Sequence, residues 1–591
     1  MRRDQTLRGL SFCAVAILLL LLAALGTPSY AQAPQRGTIL GAVTANQGAV
    51  RGFRVTAHNL SVQIWYVVFT KDGHYTVPQA LPGSYEVSVL QEGYDSPTQK
   101  ISLGEGQTQT ANLSVKRRVP DPDVTYLDYD QLYPPGAGRD LLEKNCMGCH
   151  GLDFYNSQHR TEAGWRAGIN IMFNGPSFHD APMFARNQFT AAEKDTIAKY
   201  LAANFGADST DRQLKHDPYL VDEDALSKAI YVEYDAPDMP LVNKTSAKPA
   251  VAPVSYGNPS IGSAMTSGIS SGEDGPIMTP AANAQVMHDT KLAADGHVWV
   301  TAANANEIVQ LDPKAANPNT RYKQYPIQSP EAPRGVYPHG ITINHEGHIF
   351  WAETMGGRVG ELDPETGKMK RHRLPTEGSI LQVVTDQKDN VWYTQIQGSS
   401  IGVVDGKTGR VSQWGTPTVD SDPYGMAIDQ KGNVWTGGIA KGLLIKFDPV
   451  LESFTEYTPP TKYAGVRRVG VDSKGLIWFS EFRVSQIGYL NPDTGEMKEY
   501  KLPMKYSHPY DAWPDMTDNI WFTDHFNDSL IKFDQNTKKA TYYPLPQLAW
   551  SIPKIEVEKN NTIWFGSRGV PNVVTVHFYP NGYSAAAMPE P

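Results

Sequence analysis

Apolar and polar side chains alternate with period two along Leu81-Pro82-Gly83-Ser84-Tyr85-Glu86-Val87-Ser88-Val89, as in a strand with one buried face. The same cadence opens at residues 37–43 and returns at 54–57, while residues 70–77 carry Asp72-Gly73, a hairpin signal. Strands recurring about every 8–12 residues between Gly and Pro turns predict a small β-sandwich over residues 37–116. The period then changes. Ile197, Tyr200 and Leu201 recur at helical spacing behind Thr190-Ala191-Ala192-Glu193, a capping box with Phe189 placed as a hydrophobic staple. Residues 139–145 predict an earlier helix, so residues 125–206 read as an all-α unit.

From about residue 285 the chain repeats itself. A turn and an apolar-aromatic strand recur as Gly296-His297-Val298-Trp299, Gly347-His348-Ile349-Phe350, Asp389-Asn390-Val391-Trp392 and Gly432-Asn433-Val434-Trp435. Gly475-Leu476-Ile477-Trp478, Asp518-Asn519-Ile520-Trp521 and Asn561-Thr562-Ile563-Trp564 complete the set, with aromatic spacings of 51, 42, 43, 43, 43 and 43 residues. A period of about 40–50 with several strands per unit predicts a β-propeller, here seven blades over residues 285–583. Each repeated aromatic reads as blade packing. The seventh repeat ends before supplying an outer strand, and a segment of matching cadence stands far upstream, Tyr231-Val232-Glu233-Tyr234-Asp235-Ala236-Pro237. Residues 229–238 are therefore expected to close the ring. Residues 239–284, rich in Pro, Ser, Gly and Ala, read as a surface insert between that strand and the first repeat. The fold class is multidomain and mainly β: a small β-sandwich, an all-α unit and a seven-bladed propeller.

Composition narrows the partners. A net charge of −9 with 19% charged residues argues against nucleic acid. The 12 Trp, 29 Tyr, 51 Gly and 43 Pro suit a chain rich in strands and turns. Residues 1–33 begin with Arg2, Arg3 and Arg8, run through an apolar block at 12–25, and end on small residues at Ser29-Tyr30-Ala31 or Ala31-Gln32-Ala33. That is the form of a signal peptide. No later apolar run reaches spanning length, so no membrane span is expected after its removal. The expected address is the bacterial periplasm or the cell exterior.

Of three cysteines, Cys13 lies in that leader and the other two fall in Cys146-Met147-Gly148-Cys149-His150. The spacing reads as a c-type haem attachment site. Each thiol can form a thioether to a haem vinyl group, and His150 then lies under the iron as its proximal ligand. A zinc site would need further soft ligands, and a thioredoxin-like pair would not need the histidine. Covalent haem c is the expected cofactor. The helical unit resembles class I cytochrome c domains, in which the distal methionine lies on a loop just before the last helix. That resemblance implies Met183, in Asp180-Ala181-Pro182-Met183, as the second iron ligand. Met172 is the alternative, followed by His159 and His179.

The Asp72-Gly73 turn before Tyr75 and the Leu81-Pro82-Gly83-Ser84-Tyr85 element resemble the carboxypeptidase regulatory-like family. The resemblance implies a non-catalytic spacer or docking module, with carbohydrate as an alternative ligand. The repeats resemble the virginiamycin B (streptogramin B) lyase family, which opens a cyclic depsipeptide by elimination with a histidine base and Mg²⁺ held by glutamates. Its Pro-His-Gly/Ala-Ile motif with a glutamate fourteen residues on matches Pro338-His339-Gly340-Ile341 and Glu353. His288 stands eleven residues before Trp299, as His339 stands before Phe350. Equal phase in neighbouring blades sends His288, His339 and Glu353 toward one central channel as the candidate catalytic set. Tyr337 occupies the place of the family's second metal-binding glutamate, and loss of one carboxylate weakens a hard-cation site.

By the same phase, Tyr424, Arg467 and Tyr510 match His339, and Gln395, Glu481 and Asp524 match Glu353. Such a ring suits a small polar or anionic ligand. Three functions follow from the sequence. The first is a periplasmic haem protein in electron transfer whose propeller binds a substrate or a redox partner. The second is a depsipeptide lyase with an accessory cytochrome, and the third a non-enzymatic docking protein.

Overall fold

The seven repeats fold for a local reason. Gly296, Gly347, Asp389, Gly432, Gly475, Asp518 and Asn561, each three residues before the repeated aromatic, take φ between 58° and 89°. Gly, Asp and Asn tolerate this left-handed turn, which is why no other residue type stands there. The aromatic is anchored as well as buried. Trp392, Trp435, Trp478 and Trp521 donate their indole N–H to Asp386, Asp429, Asp472 and Asp515, six residues earlier, at 2.9–3.0 Å. Asp429 also accepts the Lys431 and Asn433 backbone N–H groups at 2.9 and 2.8 Å, so one carboxylate ties the turn to the blade core.

The computed structural model describes residues 35–119, 122, 125–147, 155–156, 158–174, 189–210, 212–215, 220–237, 286–315, 317–329, 335–396, 398–546, 552–567 and 572–579. The expected signal peptide, the 239–284 insert, Cys149, His150, His179 and Met183 lie outside them, as does the side chain of Met172. Blades 1 to 6 span residues 287–326, 338–373, 380–415, 423–457, 466–501 and 509–544, each a four-stranded antiparallel sheet. Blade 7 has Ile555–Val557, Ile563–Gly566 and Asn572–Phe578 in sequence, and its fourth strand is Ala229–Asp235, antiparallel to Asn572–Phe578. The innermost strands of blades 1 and 7 touch, so the ring is closed as the repeat count required.

The outer edge of that borrowed strand is also used. Ala229–Asp235 pairs with Ile64–Phe69 of the N-terminal domain, so blade 7 continues through Ile64–Phe69, Arg54–Asn59, Gly83–Leu90 and Gln99–Leu103 into one eight-stranded sheet. A second sheet built on His74–Ala80, Gly37–Ala45 and Leu113–Arg117 covers it and encloses a core that includes Val55, Val77 and Val87. Asp72 and Gly73 take φ of 51° and 76°, as a two-residue hairpin turn requires. Pairing an edge strand in this way removes an exposed ladder.

Helices Ala137–Asn145, Glu162–Asn174 and Ala191–Asn204 pack around Leu132, Leu142, Met147, Trp165 and Leu201. The capping box forms: Thr190 Oγ1 accepts the Glu193 N–H at 3.1 Å, and Glu193 accepts the Thr190 N–H at 2.8 Å. Phe189 is buried in the same core. The unit is not wholly α-helical, because Thr125–Leu127 pairs in parallel with Arg212–Leu214. That pair joins the entry and exit of the chain and carries the unit beyond residue 206. Among the described residues, no helix is long and apolar enough to cross a membrane.

Candidate functional site at the propeller mouth

Six of the blades share one irregularity. The register between the innermost strand and its neighbour shifts at residues 288–289, 339–340, 381–382, 424–425, 467–468 and 510–511. A shift at the same place in these six blades re-aims two consecutive side chains, as bulges beside binding sites do. The central channel therefore carries two layers. The first holds His288, His339, Leu381, Tyr424, Arg467 and Tyr510; the second holds Asp289, Gly340, Gln382, Gly425, Arg468 and Asp511.

In the first layer the His288 and His339 rings lie 3.8 Å apart, centre to centre. His288 Nδ1 is 2.8 Å from Asp289 Oδ1, and His339 Nδ1 is 2.7 Å from the Leu381 carbonyl oxygen. A carbonyl can only accept, so Nδ1 of His339 carries the proton and Nε2 is its basic nitrogen. One ligand atom each from His288, Asp289 and His339 lies within 4.8 Å of the others. Across the channel, Arg467 Nη2 donates to the Tyr424 hydroxyl at 3.0 Å, and the Tyr424 and Tyr510 hydroxyls are 2.5 Å apart. The Arg467 guanidinium lies 3.5 Å from the Tyr510 ring centre and 4.5 Å from that of Tyr424. Equal phase thus does bring the two histidines, Tyr424, Arg467 and Tyr510 to one place.

The second layer is an ionic plug. Arg468 reaches across to Gln382 Oε1 at 2.6 Å and to Asp289 at 3.3 Å. Burial alone would raise the Asp289 carboxyl, but Arg468 and His288 hold it well below the usual carboxylate range. Burial likewise opposes the Arg468 charge, and Asp289 and Asp511 more than restore it. Lys554, buried beside Asp289, comes down because burial outweighs that neighbour. Gly425 makes room for the plug: a Cβ there would meet Arg468 Cγ at 2.3 Å.

Glu353 is placed differently. It is fully buried at the end of the second strand, where Arg371 of its own blade's outer strand grips both carboxylate oxygens, through Nε at 2.7 Å and through Nη2. Gln395 likewise accepts from Gln413 at 2.9 Å, and Asp524 accepts the Phe526 and Asn527 N–H groups of its own turn. Residues at this phase serve the blade rather than the channel. Of the other iron-ligand alternatives, His159 Nδ1 lies 2.7 Å from Ser209 Oγ.

The helical unit packs on the end of blade 6 where its innermost strand begins. Pro509 pairs with Asp524 there, and Phe526, two residues on, joins the helical core. The Tyr506 ring lies 5.0 Å from that of Tyr129. The Tyr129 hydroxyl in turn lies 3.5 Å from Met147 Sδ, inside the Cys-Met-Gly-Cys-His run. Cys146 caps the C-terminal end of Ala137–Asn145 and is half-buried.

Residues 270–528 match the virginiamycin B lyase family model, and residues 38–116 match the carboxypeptidase regulatory-like domain. Solved structures similar to this chain include the virginiamycin B lyase of Staphylococcus aureus, 19% identical with a TM-score of 0.46, over 50% of this chain and 96% of that one. A streptogramin B lyase structure is 20% identical with a TM-score of 0.46, over 50% of this chain and 94% of that one. A Neurospora crassa protein provisionally named a rhamnogalacturonase is 32% identical over 92 residues. That match spans 15% of this chain and only 16% of the relative's length.

Proposed function

We propose that this chain is an exported bacterial electron-transfer protein, in which the propeller mouth binds a small polar or anionic substrate beside a c-type haem on the helical unit. The observation that carries this reading is placement. The unit bearing Cys146 and Met147 packs on Tyr506 and Phe526, which flank the start of the blade 6 strand that brings Tyr510 to Tyr424 and Arg467. The donor set fits haem: two thiols and an imidazole within five residues, the first thiol at a helix end against a packed core. Cys146 and Cys149 would hold the haem, and His150 and Met183 would ligate its iron. Haem supplies a one-electron acceptor.

The chain's own residues do the rest. Arg467 attracts negative charge on the ligand, and His339, oriented by the Leu381 carbonyl, takes a proton on Nε2. A redox partner in the periplasm receives the electrons onward. The mouth does not fit Mg²⁺ as the lyases hold it, since Glu353 is gripped by Arg371 and Tyr337 stands where a second carboxylate is needed. The N-terminal domain, continuous with blade 7, acts as a docking module, with carbohydrate as its alternative ligand.

The lyase reading stays second because the family match and the facing imidazoles favour it. Expression with a haem-maturation system separates the two. The expected product carries one covalent haem, lost in Cys149→Ser and reduced spectrally by the right periplasmic substrate. A chain that stays haem-free yet cleaves a cyclic depsipeptide with Mg²⁺ overturns the proposal.

A further inference from the structure

We propose that Tyr424 is a second acid–base residue of the mouth, exchanging its phenolic proton with a ligand held beside His339 while Arg467 stabilises the phenolate. The inference rests on the reading that the mouth binds a small polar or anionic ligand. Its basis is the geometry around one oxygen. The Tyr424 hydroxyl receives a charged hydrogen bond from Arg467 Nη2 at 3.0 Å and faces the Tyr510 hydroxyl at 2.5 Å. A cationic donor on a phenol oxygen favours its ionised form, and the Tyr510 hydroxyl can turn to donate once the proton has left. The His339 ring stands edge-on 6.2 Å from the Tyr424 ring, so a ligand touching one imidazole is within reach of the phenol.

The surrounding charges agree. Arg468, on the same strand as Arg467, lies 5.9 Å from the Tyr424 ring. It is already balanced by Asp289 and Asp511 in the layer below. Arg467 is the cation in direct hydrogen-bond contact with the phenol, and His508 and Asp524 of blade 6 stand on its other side. Burial would raise the Tyr424 hydroxyl, but Arg467 and Arg468 outweigh it and bring it below the ordinary tyrosine value. Tyr231, Tyr393 and Tyr542, buried without such partners, all move the other way. The ligand class that follows has an acidic O–H or a C–H beside a carbonyl. Its proton goes to the Tyr424 oxygen, and the charge left on it falls to Arg467.

Ultraviolet difference titration of the full-length protein tests this. One tyrosine equivalent is expected to ionise at lower pH than the others. Tyr424→Phe should remove that step, Arg467→Met should merge it with the bulk, and His339→Ala should leave it in place. An early step that persists in Tyr424→Phe, or no early step in the folded wild type, overturns the proposal. In the haem-loaded protein, substrate-driven reduction should rise with pH through the same step, and the rise should move to higher pH in Arg467→Met. A pH profile identical in both proteins counts against it. The titration needs neither haem nor ligand, so it stands or falls apart from the electron-transfer reading.

Discussion

The two layers of the channel are one residue apart in sequence and opposite in character. The second layer closes on itself: Arg468 spans to Asp289 and Gln382, and two anions face two cations. The first layer brings together groups of a kind that can take up or release a proton, His288, His339, Tyr424 and Tyr510, around one guanidinium. A propeller channel needs a floor before it can have a site, and the register shift supplies both by turning consecutive side chains to the axis. Stability should therefore reside in the lower layer and reactivity in the upper.

Breaking the floor is the severest test of that division. Arg468→Met keeps the stem and removes the charge, leaving Asp289 and Asp511 buried with Lys554 and His288 as the remaining groups that offset them. Removing one partner of a buried ion pair costs about 3–5 kcal/mol. Chemical denaturation should show a loss of that size for Arg468→Met and a much smaller one for Arg467→Met. Equal losses would dissolve the distinction between the layers.

The propeller was legible because its signals are local and repeated. The aromatic period gave seven blades, and the incomplete seventh repeat pointed to the strand at 229–235. The carboxylate six residues before five of the six repeated Trp was equally readable, as Asp386, Asp429, Asp472, Asp515 and Glu558, and marks the same turn. Contacts between distant blades were not legible. Arg468 and Asp289 are 179 residues apart, and nothing near either announces the other. Nor does Ile64–Phe69 reveal that it will extend blade 7. Phase placed Glu353 and Glu481 at one position, but a residue eighteen further on decides their chemistry.

That pair sharpens the comparison within the blades themselves. Glu353 meets Arg371, whereas Glu481 meets Glu499, whose carboxylate already accepts the Thr461 N–H and hydroxyl at 2.8 and 2.7 Å. Burial and then the neighbouring carboxylate push Glu481 up to about 9. Its folded value lies above its unfolded one, so the native state holds the extra proton. The stabilisation is full below the unfolded value and is lost as pH rises toward about 9. Glu481→Gln, which mimics the protonated acid, should flatten that dependence and exceed the wild type by about 1–3 kcal/mol near pH 8. Thermal unfolding from pH 5 to 9 measures it, and parallel curves would refute the assignment.

The smallest effect on stability is expected in the upper layer, where the effect on function should be largest. His339→Ala removes the hydrogen bond to the Leu381 carbonyl. The cost should be about 1 kcal/mol, the usual net worth of one such hydrogen bond. The basic Nε2, however, has no substitute at that place, because the neighbouring His288 is turned by Asp289 and Glu353 is gripped by Arg371. If a substrate is oxidised in the mouth, its proton must leave locally while the electron passes to the haem. Substrate-driven haem reduction should then fall by about 10²–10⁴-fold in His339→Ala, the usual worth of a positioned general base. Unchanged reduction would remove His339 from the reaction. Loss of a Mg²⁺-dependent depsipeptide cleavage in the same variant would instead move the upper layer to lyase chemistry.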